Sequence, residues 1–117
     1  MQSYITTMGV TKANLFTPEQ NALAKIAKAF AHPARLAIIQ YLLKTNTCIN
    51  GDLVQELGLA QATISQHLRE LKEIGIIQGT IEGVSICYCI NPVKWAEVQD
   101  LFHTLFDQYF NQAAKCC

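Results

Sequence analysis

Apolar residues recur at helical spacing along most of the chain, most clearly in residues 59–78, LAQATISQHLRELKEIGIIQ. From Gln61 onward, Ile64, Leu68 and Leu71 fall at i, i+4 and i+7, a narrow apolar stripe on one face of a predicted helix. Ala62, Ser65, Gln66, Arg69 and Lys72 fall on the opposite face, with no carboxylate before Glu70. Gly75 is placed to end the helix in a left-handed cap. Just upstream, DLVQELGL predicts a short helix with Leu53, Val54 and Leu57 on its buried side and Gly58 as its stop. Short helix, glycine turn, longer helix with a polar outer face is helix-turn-helix order, with the second helix as the reader.

The remaining pattern supplies the elements around this unit. Thr17-Pro18-Glu19-Gln20 is a helix start, with Thr as N-cap, Pro at the first helical position and Gln three residues after the cap. Leu23, Ile26, Ala27 and Phe30 continue it at helical spacing. His32-Pro33 breaks this helix and starts another, whose predicted core residues are Leu36, Ile39, Leu42 and Leu43. His32 is assigned to the junction rather than to a ligand set. Residues 76–80 and 85–90 predict two strands joined near Glu82-Gly83. In the second strand Cys87 and Cys89 share one face, while Ile86, Tyr88 and Ile90 share the other. Asn91-Pro92 opens a last helix expected to run to about Ala114. Its apolar band, from Trp95 and Val98 through Leu101, Phe102, Leu105, Phe106, Tyr109 and Phe110, is wider than one small core needs and predicts a dimer interface.

Length and composition narrow the class. A chain of 117 residues, half of them hydrophobic, is one domain with a small core. The expected division is an N-terminal extension over 1–16, a folded domain over 17–114 and a cysteine-containing tail over 115–117. Formal net charge is zero, but residues 1–72 hold seven cations against four anions, and residues 73–117 two against five. The reader half is thus mildly basic and the C-terminal part acidic. No signal peptide or membrane-length apolar run is present, so a cytoplasmic protein with no membrane partner is expected. Five cysteines, an odd count in such a compartment, are expected to remain thiols.

GDLVQELGLAQATISQHLRELKEIGII resembles the reader region of the ArsR family of winged-helix, metal- and metalloid-responsive repressors. AHPARLAIIQYLL resembles that family's second helix and EGVSICYCIN its wing, so the likeness spans roughly residues 16–91. The resemblance implies a mostly α fold with a β-hairpin wing, a winged helix-turn-helix that dimerises through its first and last helices. It implies a DNA-binding repressor, not an enzyme, on a palindromic double-stranded operator. Gln61, Thr63, Ser65 and Gln66 are the expected base readers, with Arg69, Gly83 and Ser85 holding phosphate or minor groove.

The cysteines are the candidate inducer site. Thiolates are soft ligands, suited to trivalent arsenic or antimony and to soft divalent metals. Cys48, Cys87 and Cys89 form the first candidate set, since their segments adjoin in a winged helix; Cys116 and Cys117 form the second. The competing reading makes Cys48, Cys87 and Cys89 small buried hydrophobes. Two departures from the family stand out. The segment before the short helix has one cysteine, Cys48, where many arsenic sensors carry a Cys-x-Cys pair. Glu97, Asp100, His103 and Asp107 lack the spacing of the family's last-helix zinc site, so a solvated acidic face is expected there. No cofactor is required. The functional expectation is a repressor that leaves its operator on binding a thiophilic metal or metalloid, with arsenite or antimonite favoured. Alternatives are a redox- or persulfide-responsive repressor of the same fold and a winged-helix protein-interaction module. A thiol oxidoreductase built on Cys116-Cys117 is disfavoured by the absence of a Cys-x-x-Cys and of a βαβ pattern.

Overall fold

A computed structural model describes residues 12–45, 53–82 and 85–111. After a 3-10 turn at Lys12–Leu15, the order is α1 (Pro18–Ala29), α2 (Pro33–Thr45), α3 (Leu53–Leu57), α4 (Gln61–Ile74), β1 (Ile77–Glu82), β2 (Ser85–Ile90) and α5 (Pro92–Phe110). No helix among the described residues is long and apolar enough to cross a membrane.

The helix boundaries come from local chemistry. At α1 the Thr17 hydroxyl accepts from the Gln20 backbone N–H, and the Gln20 side chain accepts from the Thr17 N–H, both at 3.0 Å. At α5 the Asn91 side-chain oxygen accepts from the Val93 and Lys94 N–H groups, and Pro92 suits the first turn. Gly58 (φ 69°) and Gly75 (φ 97°) bracket α4 in the left-handed region. At Gly75 the chain closes a Schellman turn: Ile76 N–H bonds back to Leu71 carbonyl and Gly75 N–H to Lys72 carbonyl. Ile76 thereby drops directly into the core, and its carbonyl accepts from the Asn91 N–H as the hairpin returns.

The core gathers around α4. Ile64, Leu68 and Leu71 lie against Ile38, Ile39 and Leu42 of α2, Ala29 of α1, Leu53 of α3, and Ile76 and Ile77. Tyr88 and Ile90 pack on this cluster from β2, as the alternation in the strand predicts. The strands pair antiparallel in the register Ile77↔Ile90 to Glu82↔Ser85. Gly79 faces Tyr88, and a Cβ there would stand 2.9 Å from the tyrosine ring, so the ring lies where any other residue would put a side chain.

Ile39 and Leu42 of α2 and Ile26 of α1 are buried as the pattern predicts, but the pattern misplaces other residues on both helices. On α2, Leu36 and Leu43 are 41% and 46% exposed, whereas Ile38 is fully buried. This helix is apolar nearly all round, so periodicity cannot choose a face; contact with α3, α4 and β2 chooses it. On α1 the buried alanine is Ala29, and Ala27 is exposed. The described part of α5 runs to Phe110, and its expected end at Ala114 lies among residues 112–117, outside the described residues.

One polar side chain among the described residues is buried, His67 on α4. It stands at i+3 from Ile64, on the core side. Its Nδ1 accepts from Arg35 Nε at 3.2 Å, and its ring lies 4.6 Å from that of His32. Burial, then the neighbouring His32, then the Arg35 guanidinium hold its pKa below the ordinary histidine value.

This packing makes stability sensitive to one residue of α2 and to pH. Ile38→Ala should lower unfolding free energy by about 2–5 kcal/mol, whereas Leu36→Ala should change it by about 0.5 kcal/mol or less; denaturant titrations of both check this. As to pH, folded His67 resists a proton that the unfolded chain accepts near pH 6.5, so the unfolded state binds more protons below that value. Stability should therefore be highest above the unfolded pKa and fall as pH drops toward the depressed folded value. His67→Gln, which keeps a hydrogen-bond acceptor, should flatten that slope in unfolding curves run down through the histidine range.

Candidate nucleic-acid interface

The candidate surface is the outer face of α4, with α3 and Gly58 setting how that helix projects. α3 buries Leu53 and half-buries Val54 and Leu57, and the Gly58 N–H bonds to the Val54 carbonyl, so the turn is short. With Ile64, Leu68 and Leu71 committed to the core, Gln61, Ala62, Thr63, Gln66, Arg69 and Lys72 must face out, and all six are exposed. Gln66 makes its polar contacts on this outer side, and Ser65, on the flank, is half-buried.

The polar groups of this face are organised by one another. Gln61 Nε2 donates to Ser65 Oγ at 3.1 Å. Gln66 Nε2 donates to Glu70 Oε2 at 2.6 Å, and Arg69 Nη1 donates to Gln66 Oε1 at 2.7 Å. The other Glu70 oxygen forms an ion pair with Arg35 Nη2, and Arg35 is the group that bonds to His67. A chain of polar contacts thus runs from the reader face, across the α2–α4 contact, to a buried histidine.

Arg35, His67 and Glu70 were not singled out by sequence reasoning. The available signal was His67 itself: a polar residue on the buried side of an otherwise apolar stripe calls for a partner. His32 sits at the junction as expected. Its Nδ1 accepts from the Ala34 N–H at 3.1 Å, satisfying an N-terminal donor of α2.

Of the wing residues, Ser85 opens β2 opposite Glu82, and Gly83 lies outside the described residues. Cys87 and Cys89 occupy one face of β2, half-buried, opposite Thr80 and Gln78. Gln78 Nε2 stands 3.8 Å from Cys89 Sγ. Cys48, Cys116 and Cys117 lie outside the described residues. Among the described residues no cluster of three or more His, Cys, Asp or Glu side chains is placed to hold a metal. On α5, Glu97 contacts Lys94 and His103 contacts Asp107, each at 3.6 Å, as separate surface pairs.

Comparison with known proteins agrees with this geometry. The family described as "Bacterial regulatory protein, arsR family" matches residues 32–78, from the α2 junction to the start of β1. The biofilm growth-associated repressor of Xylella fastidiosa is 31% identical over 93 residues, covering 80% of this chain and 81% of that one. The crystal structure of the transcriptional repressor BigR from Xylella fastidiosa superposes with a TM-score of 0.60 at 28% identity, over 83% of this chain and 97% of that one. HlyU from Vibrio cholerae superposes with a TM-score of 0.63 at 26% identity, over 83% of this chain and all of that one. The helix-turn-helix of α3 and α4, the β1–β2 wing and these relationships together establish that the chain belongs to the arsR family of bacterial regulatory proteins and has its winged-helix fold.

Proposed function

We propose that this protein is a homodimeric DNA-binding repressor that inserts α4 into the major groove of a palindromic operator and leaves it on binding a thiophilic inducer. The observation that carries the reading is the division of α4 into two faces. One is sealed in the core, and the other presents Gln61, Thr63, Gln66 and Arg69, with Ser65 half-buried on its flank. Hydroxyl, amide and guanidinium groups are the ones that hydrogen-bond base edges and phosphates. No side chain caps the N-terminus of α4, where Ala60 stands, so its backbone N–H groups suit a phosphate. Relatives named as repressors support the same role. A repressor of this kind works in the cytoplasm, where its operator is.

The dimer reading rests on α5. Leu105, Phe106, Tyr109 and Phe110 are 44%, 61%, 74% and 77% exposed, a contiguous apolar run along one helix end. Leu15 and Phe16, before α1, are exposed as well. A second copy packed on this surface would remove it from water and set two α4 helices about one DNA turn apart.

The inducer reading rests on soft-ligand chemistry. Cys87 and Cys89 lie on one face of the wing, an element next to the DNA in this mode of binding, so an ion held there could shift the wing relative to α4. Coupling of this kind is typically about 1–3 kcal/mol. Cys48 would complete a three-thiolate set for arsenite, and the Cys116-Cys117 pair is the second candidate.

Three measurements test these parts. Gln66→Ala and Ser65→Ala should each weaken operator binding by about 1–3 kcal/mol with the fold retained; gel-shift affinities within twofold of wild type would remove both from the reader set. Phe106→Glu or Leu105→Glu should give monomers or insoluble protein in sedimentation, together with loss of operator binding, because the charge would be buried unpaired. Arsenite-driven release should be lost in Cys87→Ser/Cys89→Ser and kept in Cys116→Ser/Cys117→Ser. The reverse result assigns sensing to the tail. Release by mild oxidant but not by arsenite would assign the wing cysteines to thiol oxidation.

A further inference from the structure

The polar relay behind α4 assigns a task to residues that do not themselves face DNA. We propose that Glu70, backed by Arg35, fixes the side-chain amide of Gln66 and so sets the reader for an A·T base pair. The inference rests on the reading of α4 as the base-contacting helix.

Donors and acceptors decide the matter. An amide side chain can turn its two ends over at little cost, and an exposed Gln with no partners samples both senses. Gln66 has partners on both ends: a guanidinium can only donate, and a carboxylate can only accept. Arg69 therefore demands the amide oxygen, and Glu70 demands the amide nitrogen, at 2.7 and 2.6 Å. The sense of the amide is dictated by the chemistry of its neighbours.

Each end retains capacity. An amide oxygen has two lone pairs and an amide nitrogen two N–H bonds, so after these contacts Gln66 keeps one acceptor and one donor position. A donor–acceptor pair of fixed sense matches the N7 acceptor and N6 donor of adenine; guanine offers two acceptors there and satisfies only one end.

Glu70 can do this only because of what stands behind it. A carboxylate on a DNA-facing helix is repelled by phosphate. Arg35, with its side chain 15% exposed against 34% for Glu70, pairs with the inner oxygen and leaves the outer one for Gln66. Arg35 is in turn held through Nε by the buried His67 and is carried by a different helix, α2. Neither Arg35 nor Glu70 needs to touch a base. Both are positioning residues, and their effect should appear in specificity.

The test uses the full-length protein. A randomised duplex library selects a preferred site, and every base pair of that site is then varied in turn in binding titrations. Gln66→Ala identifies the pair that Gln66 reads, as the position where discrimination disappears. That pair should be A·T, preferred over G·C by roughly 5- to 150-fold in the wild type. Glu70→Ala and the isosteric Glu70→Gln should cut the preference to about threefold or less at that position and leave the others in place. In a Gln66→Ala background, Glu70→Ala should cause no further loss of discrimination. If Glu70 acted only as a surface charge, its removal would raise affinity for all sequences together and leave the ratio unchanged. A wild-type ratio in both Glu70 variants overturns the proposal, as does a G·C pair under Gln66 or an equal effect of Glu70→Ala with and without Gln66. If Gln66→Ala alters no position, or no site is selected at all, the assignment of α4 as base reader fails first and this inference with it.

Discussion

The rotation of α4 about its own axis is the constraint on which the other features depend. Ile64, Leu68 and Leu71 can enter the core only if Gln61, Thr63, Gln66 and Arg69 face away from it, because a shift of one residue would turn inward either Ser65, Arg69 and Lys72 or Thr63, His67 and Glu70, burying charged groups. The same stripe fixes the exit from the helix. Leu71 receives the returning N–H groups of Gly75 and Ile76, so the left-handed turn that ends the helix also delivers Ile76 and Ile77 to the core and launches β1. The wing therefore starts from the place where α4 is sealed and stopped.

A second layer of order is electrostatic. Hydrophobic packing sets α4 against α2 but tolerates small slips, whereas a guanidinium held at both Nε and Nη2 does not. Arg35 joins α2 to α4 at this point and links a buried histidine with the amide of the reader face. Protonation of His67 would set a cation against Arg35 and beside the nearby His32, so the packing of α2 on α4 depends on one titratable group. The low pKa keeps that group neutral under ordinary conditions, in the form that accepts the Arg35 hydrogen bond.

The last helix makes the opposite use of apolar surface. Its first half packs on α1, where Phe30 meets Trp95 and Phe102 edge-to-face at 6.2 and 6.3 Å. A groove of about 420 Å³ lined by Phe30, Trp95, Val98, Gln99 and Phe102 opens along this contact. Its second half carries apolar side chains that no element of the same chain covers among the described residues. A single domain of this length has too little interior to absorb them, which is the physical case for a partner copy.

The sequence alone determined the elements whose signals are local. Thr17 with Gln20, Asn91 with Pro92, and the glycines at 58 and 75 act through neighbouring backbone groups, so the starts of α1 and α5 and the ends of α3 and α4 are legible from residue identity. The reader stripe is legible because α4 is strongly two-sided, and Tyr88 and Ile90 because a strand alternates. Only the tertiary structure decided which face of α2 is inside, since a helix apolar nearly all round has no preferred side until α3, α4 and β2 surround it. It alone also revealed the contacts of Arg35 with His67 and Glu70. Arg35 is 32 residues away from His67 in sequence. No local pattern marks such a pair, because a long-range hydrogen bond leaves no periodicity; it exists only once two helices have packed.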